Sequence, residues 1–272
     1  MSDNPLFSLV ICEGVHDVRA VCRILDFKGF REAEVFSDIP GPLRNAIPRQ
    51  YPVQGNDAKL TWLVTHPSFL FRNGYWVLVS NAGGESKLGT HLSGILPAFR
   101  KEYADAALRG IAILADADTK DAAKRKPELL CQLRDAFRDS ENFEADPSEP
   151  ERLKLYGNIK PLAMYIFPDN QGPGTLETVL LAGAGREYPE LLSKADEYVA
   201  YAETCPYAKD LSKNCNREKA TVGVIANALR PGRANQTSIQ DNKWFTKESL
   251  AQLPLHRSLS DFIDLIISWE NP

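Results

Sequence analysis

The apolar positions of this chain fall into short runs separated by acidic, polar or glycine-rich clusters. Leu6 to Cys12 (LFSLVIC) is a short apolar run interrupted only by Ser8 and partly β-branched, and Glu13-Gly14 ends it, which predicts a buried strand. From His16 to Phe27 the period changes, with Val18, Val21, Cys22, Ile24 and Leu25 at helical spacing. The alternation then repeats. Tyr75 to Ser80 (YWVLVS) predicts a strand, followed by Asn81-Ala-Gly-Gly84 and a helix from about Glu85 to Tyr103. Gly110 to Ala115 predicts a strand that ends in Asp116-Ala-Asp118, followed by an amphipathic helix from Ala122 to Phe137. Leu162 to Phe167 predicts a fourth strand, followed by the turn-rich stretch Pro168 to Gly174 and a helix from Thr175.

Strands alternating with helices predict an α/β fold, a mostly parallel sheet of about four strands flanked by helices. Residues 36–74 interrupt the pattern with Pro40, Gly41, Pro42, Pro48, Pro52 and Gly55 and read as an insertion, with a short helix around Lys59 to Val64. Its aromatics Tyr51, Trp62, Phe69 and Phe71 either stack on bases or cover the core, and the second is the preferred reading. Arg138 to Glu151 is acidic, polar and proline-containing, and reads as a surface loop. After residue 185 the pattern is helical over Pro189 to Glu203, Arg217 to Leu229 and Lys247 to Trp269. The expected organisation is a domain over 1–185 and a helical part over 186–272 packed on it. The apolar positions Leu259, Phe262, Ile263, Ile266 and Ile267 are expected to pack within the chain.

Composition narrows the chemistry. The net charge of −4 does not advertise a polyanion binder, so contact with nucleic acid would need a local basic patch or bound cations. Residues 209–247 supply such a patch, with eight Lys or Arg against three Asp or Glu. The five cysteines are scattered without a Cys-x-x-Cys pair and read as reduced thiols, and Cys205 and Cys215 lack histidines at zinc-ligand spacing. No basic leader precedes an apolar stretch and no apolar run approaches the ~20 residues of a membrane span, so a cytoplasmic protein is expected.

The polar clusters after the strands carry the candidate chemistry. In a parallel sheet the strand ends lie side by side, and ligands bind in the crevice beyond their carboxyl ends. Strand one contributes Glu13 and Asp17, strand three Asp116 and Asp118, and strand four Asp169 with Glu177 on the helix that follows. Crowded carboxylates repel one another unless protons or cations neutralise them. Hard divalent cations take oxygen ligands, which points to Mg²⁺ or Mn²⁺. Singly, each element has a plainer reading: Glu-Gly as a turn, Asp118 as a helix cap, Asp169-Asn170 as an Asx-turn.

The order of these pieces, Glu13-Gly-x-x-Asp17, then Gly83-Gly84, then Asp116-x-Asp118, resembles the Toprim domain of topoisomerases, DnaG-type primases and OLD-family nucleases. Pro168-Asp169-Asn170 through Gly174-Thr-Leu-Glu177, together with Lys219-Ala220, is most similar to the OLD-type branch and its small stand-alone relatives. The resemblance implies a Mg²⁺- or Mn²⁺-dependent nuclease acting on DNA or RNA. It assigns Glu13 to acid–base chemistry or metal binding, Asp17, Asp116, Asp118 and Glu177 to metal binding, and Lys219 to the transition state. Asp169, Gly83 and Gly84 would be accessory. OLD nucleases usually carry an ATPase domain, and no Gly-x-x-x-x-Gly-Lys-Ser/Thr sequence is present here, so an ATPase partner would act in trans. A role in anti-phage defence is implied by the resemblance alone. The main rival is a non-catalytic binding or regulatory subunit of a larger complex. A haloacid-dehalogenase-type phosphohydrolase ranks below it, because Thr119 stands one place too early for Asp-x-Asp-x-Thr.

Overall fold

The computed structural model describes residues 5–47, 66–99, 108–137, 143–145, 152–155, 158–213 and 215–270. The strands are β1 (Leu6–Cys12), β2 (Arg31–Glu32), β3 (Ser68–Arg72), β4 (Tyr75–Asn81), β5 (Leu108–Asp116), β6 (Phe143–Ala145), β7 (Arg152–Leu155) and β8 (Asn158–Phe167). They form one sheet in the order β2-β3-β4-β1-β5-β8-β7-β6. Its centre, β4-β1-β5-β8, is parallel, as the four apolar runs predict. The four expected strands form this centre, and among the described residues the sheet has eight, because antiparallel strands extend both margins.

The helices are α1 (Val15–Phe27), α2 (Leu88–Ile95), α3 (Ala122–Ala136), α4 (Leu176–Glu187), α5 (Pro189–Glu203), α6 (Asn216–Leu229), α7 (Asn235–Asp241), α8 (Lys247–Gln252) and α9 (Pro254–Ser268). Alternate residues of the central strands face opposite layers. Leu9, Ile11, Ile111 and Ile113 pack against α2 and α3, with Leu92, Leu129 and Leu133 facing them. Val10, Ala112, Leu114, Tyr165 and Phe167 pack against α1, α4, α6, α7 and α9. The helices after residue 185 therefore share a core with β1, β5 and β8 in a Rossmann-like α/β arrangement. Leu259, Phe262, Ile263 and Ile266 of α9 are buried in that core. Buried His256 fastens the same region, with its ring nitrogens 2.9 Å from Ser249 Oγ and 3.0 Å from the Val179 carbonyl. Among the described residues no helix is long and apolar enough to cross a membrane.

Several local expectations change. The segment read as an insertion includes β3, which pairs with β4 across the turn at Asn73-Gly74, where both residues have positive φ. Phe69 is buried in the core and Phe71 stacks on Trp76, so these two aromatics cover the fold. Tyr51, Trp62 and the helix expected at Lys59 to Val64 lie outside the described residues. The helix expected from Glu85 to Tyr103 begins as a 3-10 turn, is α-helical over α2, and tightens again at Leu96–Phe99. The loop expected at Arg138 to Glu151 contains β6, which at three residues is too short to carry a periodic signal. The helix expected from Lys247 to Trp269 is two helices, because Pro254 starts a new one at its first position.

Candidate functional site

The strand register brings the chemistry to one edge. Cys12 is level with Asn81 on β4 and with Leu114 on β5, and Asp116 is level with Phe167 on β8. The residues that follow these ends surround a cavity of about 440 Å³ lined by Glu13, His16, Asp17, Asn81, Gly83, Gly84, Asp116, Glu177, Lys219 and Asn235, among others. Each carboxylate arrives by its own element. Glu13 follows β1, Asp17 lies one turn into α1, Asp116 ends β5, and Glu177 opens α4. Lys219 comes from α6, which packs against α4 and is held there by a 2.7 Å hydrogen bond from Thr178 Oγ1 to Glu218 Oε2.

The acidic side chains are anchored by backbone donors. Asp17 Oδ2 accepts from Gly14 N–H at 2.8 Å, Glu13 Oε2 from Asp116 N–H at 3.2 Å, and Asp116 Oδ1 from Leu176 N–H at 3.0 Å. The second oxygen of each has no hydrogen-bond partner among the described residues. Burial is the largest influence on all three and raises their pKa values. For Asp17 and Asp116 the charges of neighbouring carboxylates add to it, and Asp17 is raised from 3.8 to about 7. Glu13 is raised by burial despite the Asp116 N–H and the Arg125 charge, with Asp118 and Glu85 adding repulsion. Glu177 behaves differently. Burial pushes it up, but His16, 3.6 Å away, and the Lys219 charge contribute to holding it below the usual carboxylate range. Burial pushes Lys219 down, and Glu177, Asp116 and Asp118 outweigh it, so the ammonium stays charged.

Not every expected residue joins this group. Asp118 does not line the cavity. It holds a left-handed conformation (φ 53°), bridges to Gly174 through two backbone hydrogen bonds, and acts on Glu13 and Lys219 through its charge. It does not cap α3 either, because Asp121 does so through Lys124 N–H. Asp169 does not line the cavity either, and its Oδ1 accepts from Gln171 N–H and Gly172 N–H, both at 2.9 Å, the Asx-turn arrangement. Gly83 and Gly84 are in the cavity wall at positive φ, and Gly84 N–H donates to the Glu13 carbonyl at 2.9 Å.

The structure adds residues that pattern reading passed over. His16, Asn81 and Asn235 face the cavity, and the Glu13-Gly-x-x-Asp17 spacing was the available signal for His16. Arg125 gave no signal, because an arginine on an amphipathic helix reads as solvated, yet its side chain is only 2% exposed.

The oxygen donor set and its mutual repulsion suit a hard divalent cation in chemical type. In the conformation described, no group of three or more His, Cys, Asp or Glu side chains among the described residues converges closely enough to hold one.

Comparison with known proteins gives a family and a distant structural likeness. The family described as Protein of unknown function (DUF3226) matches residues 8–263. The crystal structure of a hypothetical protein from Pyrococcus horikoshii OT3 is similar at 17% identity, covering 97% of this chain and 98% of that one, with a TM-score of 0.49. No curated protein matches.

Proposed function

We propose that this chain, which belongs to the DUF3226 family, is a Mg²⁺- or Mn²⁺-dependent hydrolase of nucleic-acid phosphodiesters with its centre in the strand-end cavity. One observation carries the reading: buried Asp17 and Asp116 and half-buried Glu13, which repel one another, share a cavity with Glu177 and a charged lysine. Such a cluster is costly in the resting protein, and a divalent cation would turn the cost into binding energy. Glu13, Asp17, Asp116 and Glu177 would hold the metal, with Asp118 beside them. A bound ion would lower the pKa of a ligated water and neutralise phosphate charge.

The chain's own groups supply the rest. Lys219 places a fixed positive charge where a nonbridging phosphate oxygen would gather charge during displacement. His16 orients Glu177, and the Gly83-Gly84 wall offers backbone without side-chain bulk. The basic patch is smaller than its composition suggests. Lys213, Arg217 and Arg230 are paired with Asp210, Glu203 and Asp241, whereas Lys209, Arg233, Lys243 and Lys247 make no ion pair among the described residues. Those four would carry a phosphate backbone toward the cavity.

The alternative, a non-catalytic binding subunit, has the lack of convergent ligand side chains in its favour. A gel assay separates the two, using plasmid, single-stranded DNA and transfer RNA with Mg²⁺, Mn²⁺ or chelator, beside Asp116→Ala. Metal-dependent cutting that disappears in the variant is expected. A folded wild-type protein that cuts nothing with either metal would favour the binding subunit.

A further inference from the structure

Arg125 sits on α3, outside the cavity lining, with its side chain 2% exposed. Its Nε donates to the Asp116 carbonyl at 3.1 Å. Its Nη1 reaches Glu85 Oε1 at 2.6 Å and Glu128 Oε2 at 3.3 Å. Its Nη2 is buried without a partner among the described residues. Taking a guanidinium out of water is costly unless its partners compensate, so its place in the fold needs a reason.

Its contacts close a ring. Arg125 holds the Asp116 carbonyl, and the Asp116 N–H donates to Glu13 Oε2. The Glu13 carbonyl accepts from Gly84 N–H, and Glu85, the next residue, returns to Arg125. The ring thus runs through the ends of β1, β4 and β5, and passes through both the main chain and the carboxylate of Glu13. Gly83 and Gly84, at φ 80° and 128°, make the turn in this circuit; Gly84 N–H ties it to β1 and the Glu85–Arg125 pair ties it to the end of β5.

We infer that Arg125 is a positioning residue, the clasp that fixes the separation of Glu13 and Asp116 by tying the Gly83–Glu85 turn to the end of β5. The inference rests on the cavity being the functional centre. An arginine suits this role because one planar fork reaches a carbonyl and two carboxylates from fixed directions. A lysine presents a single ammonium on a flexible stem and cannot keep all three contacts. Glu128 is itself held by Lys120 at 2.7 Å, so it anchors the guanidinium when Glu85 is altered.

The test uses the full chain with Glu85→Gln and Arg125→Lys, read by amide hydrogen exchange, Mn²⁺ titration and thermal unfolding. Glu85→Gln leaves Arg125 and the core in place, so it stays folded even if Arg125→Lys does not. Faster exchange at the Gly84 and Asp116 amides is expected, with the middle of β5 unchanged. Mn²⁺ affinity is expected to fall about 10–100-fold at an unchanged midpoint of unfolding in Glu85→Gln, the range typical of lost outer-shell partners. Wild-type exchange at both amides in folded Glu85→Gln would overturn the clasp, as would wild-type Mn²⁺ affinity in both variants. Faster exchange in a protein whose wild type binds no Mn²⁺ would keep the clasp and overturn the metal reading, so the two failures are distinguishable.

Discussion

Replacing Asp17 by asparagine should make the metal-free protein more stable, by an amount that depends on pH. In the folded state the Asp17 carboxyl keeps its proton up to about pH 7, whereas its ordinary value is 3.8. Between these values the folded state binds more protons than the unfolded chain, so stability falls as pH rises from about 4 to about 7 and is level above. About three pH units at ~1.36 kcal/mol each amount to about 4 kcal/mol, part of it shared with the neighbouring charges of Glu13 and Glu177. The asparagine removes the charge and keeps an amide oxygen for Gly14 N–H. It loses a favourable charge in the first turn of α1, worth about 0.3–1 kcal/mol in the other direction. The net gain at pH 8 is therefore about 2–4 kcal/mol, a rise on the order of 5–10 °C in the unfolding midpoint. Near pH 4 the two proteins should be nearly equal. Mn²⁺ at a hundredfold excess over its dissociation constant should add about 2.7 kcal/mol to the wild type, less to the variant, and narrow the gap. Calorimetry at pH 4 and pH 8, with chelator and with Mn²⁺, measures all four quantities. An Asp17→Asn variant no more stable than wild type at pH 8, or equally more stable at both pH values, would refute the account of a repelling, desolvated cluster.

Other expectations follow from single contacts. Lys219→Gln should lower phosphodiesterase activity by about 10²–10³-fold, the loss typical of one transition-state donor, and lower the unfolding midpoint of the metal-free protein, because Glu177 and Asp116 lose the charge that offsets them. Asp169→Ala should keep Mn²⁺ binding and cutting while losing roughly 1 kcal/mol in denaturant unfolding, since its contacts are to Gln171 and Gly172 N–H. Gly183→Ala should be far more damaging. An added Cβ would stand 2.1 Å from the Trp244 carbonyl oxygen and 2.9 Å from His256 Cε1, and an overpacking cost of about 1–3 kcal/mol or more should appear as a lower midpoint.

The central strands were legible because their runs of apolar residues are buried on both faces, as Leu9, Val10 and Ile11 illustrate. Where only one face is buried, or the element lies at a margin, the signal weakened. β3 was hidden among prolines, and α7 places only Ser238 and Ile239 in the interior, so its sequence reads as loop. The carboxylates of the cavity were legible because position after a parallel strand fixes which edge a residue occupies. Asp169 follows the same rule, but the turn in which it stands directs its carboxylate to its own backbone. Arg125 was illegible for a different reason. Whether an arginine on a helix faces water or folds back onto a buried carbonyl and two carboxylates depends on what the rest of the chain places beside it, and helical periodicity does not contain that information.

Glu13 lies near the start of the chain, whereas Lys219 and Asn235 belong to its last quarter and reach the cavity only once α6 and α7 have docked. A chain still on the ribosome therefore displays the acids before it can display the cation that faces them. The docking is also stereochemically narrow, with Gly183 admitting the Trp244 backbone at a distance no larger residue allows. Completion of the centre is in this way tied to the docking of α6: until that helix is in place, Glu177 and Asp116 lack the Lys219 charge that offsets them.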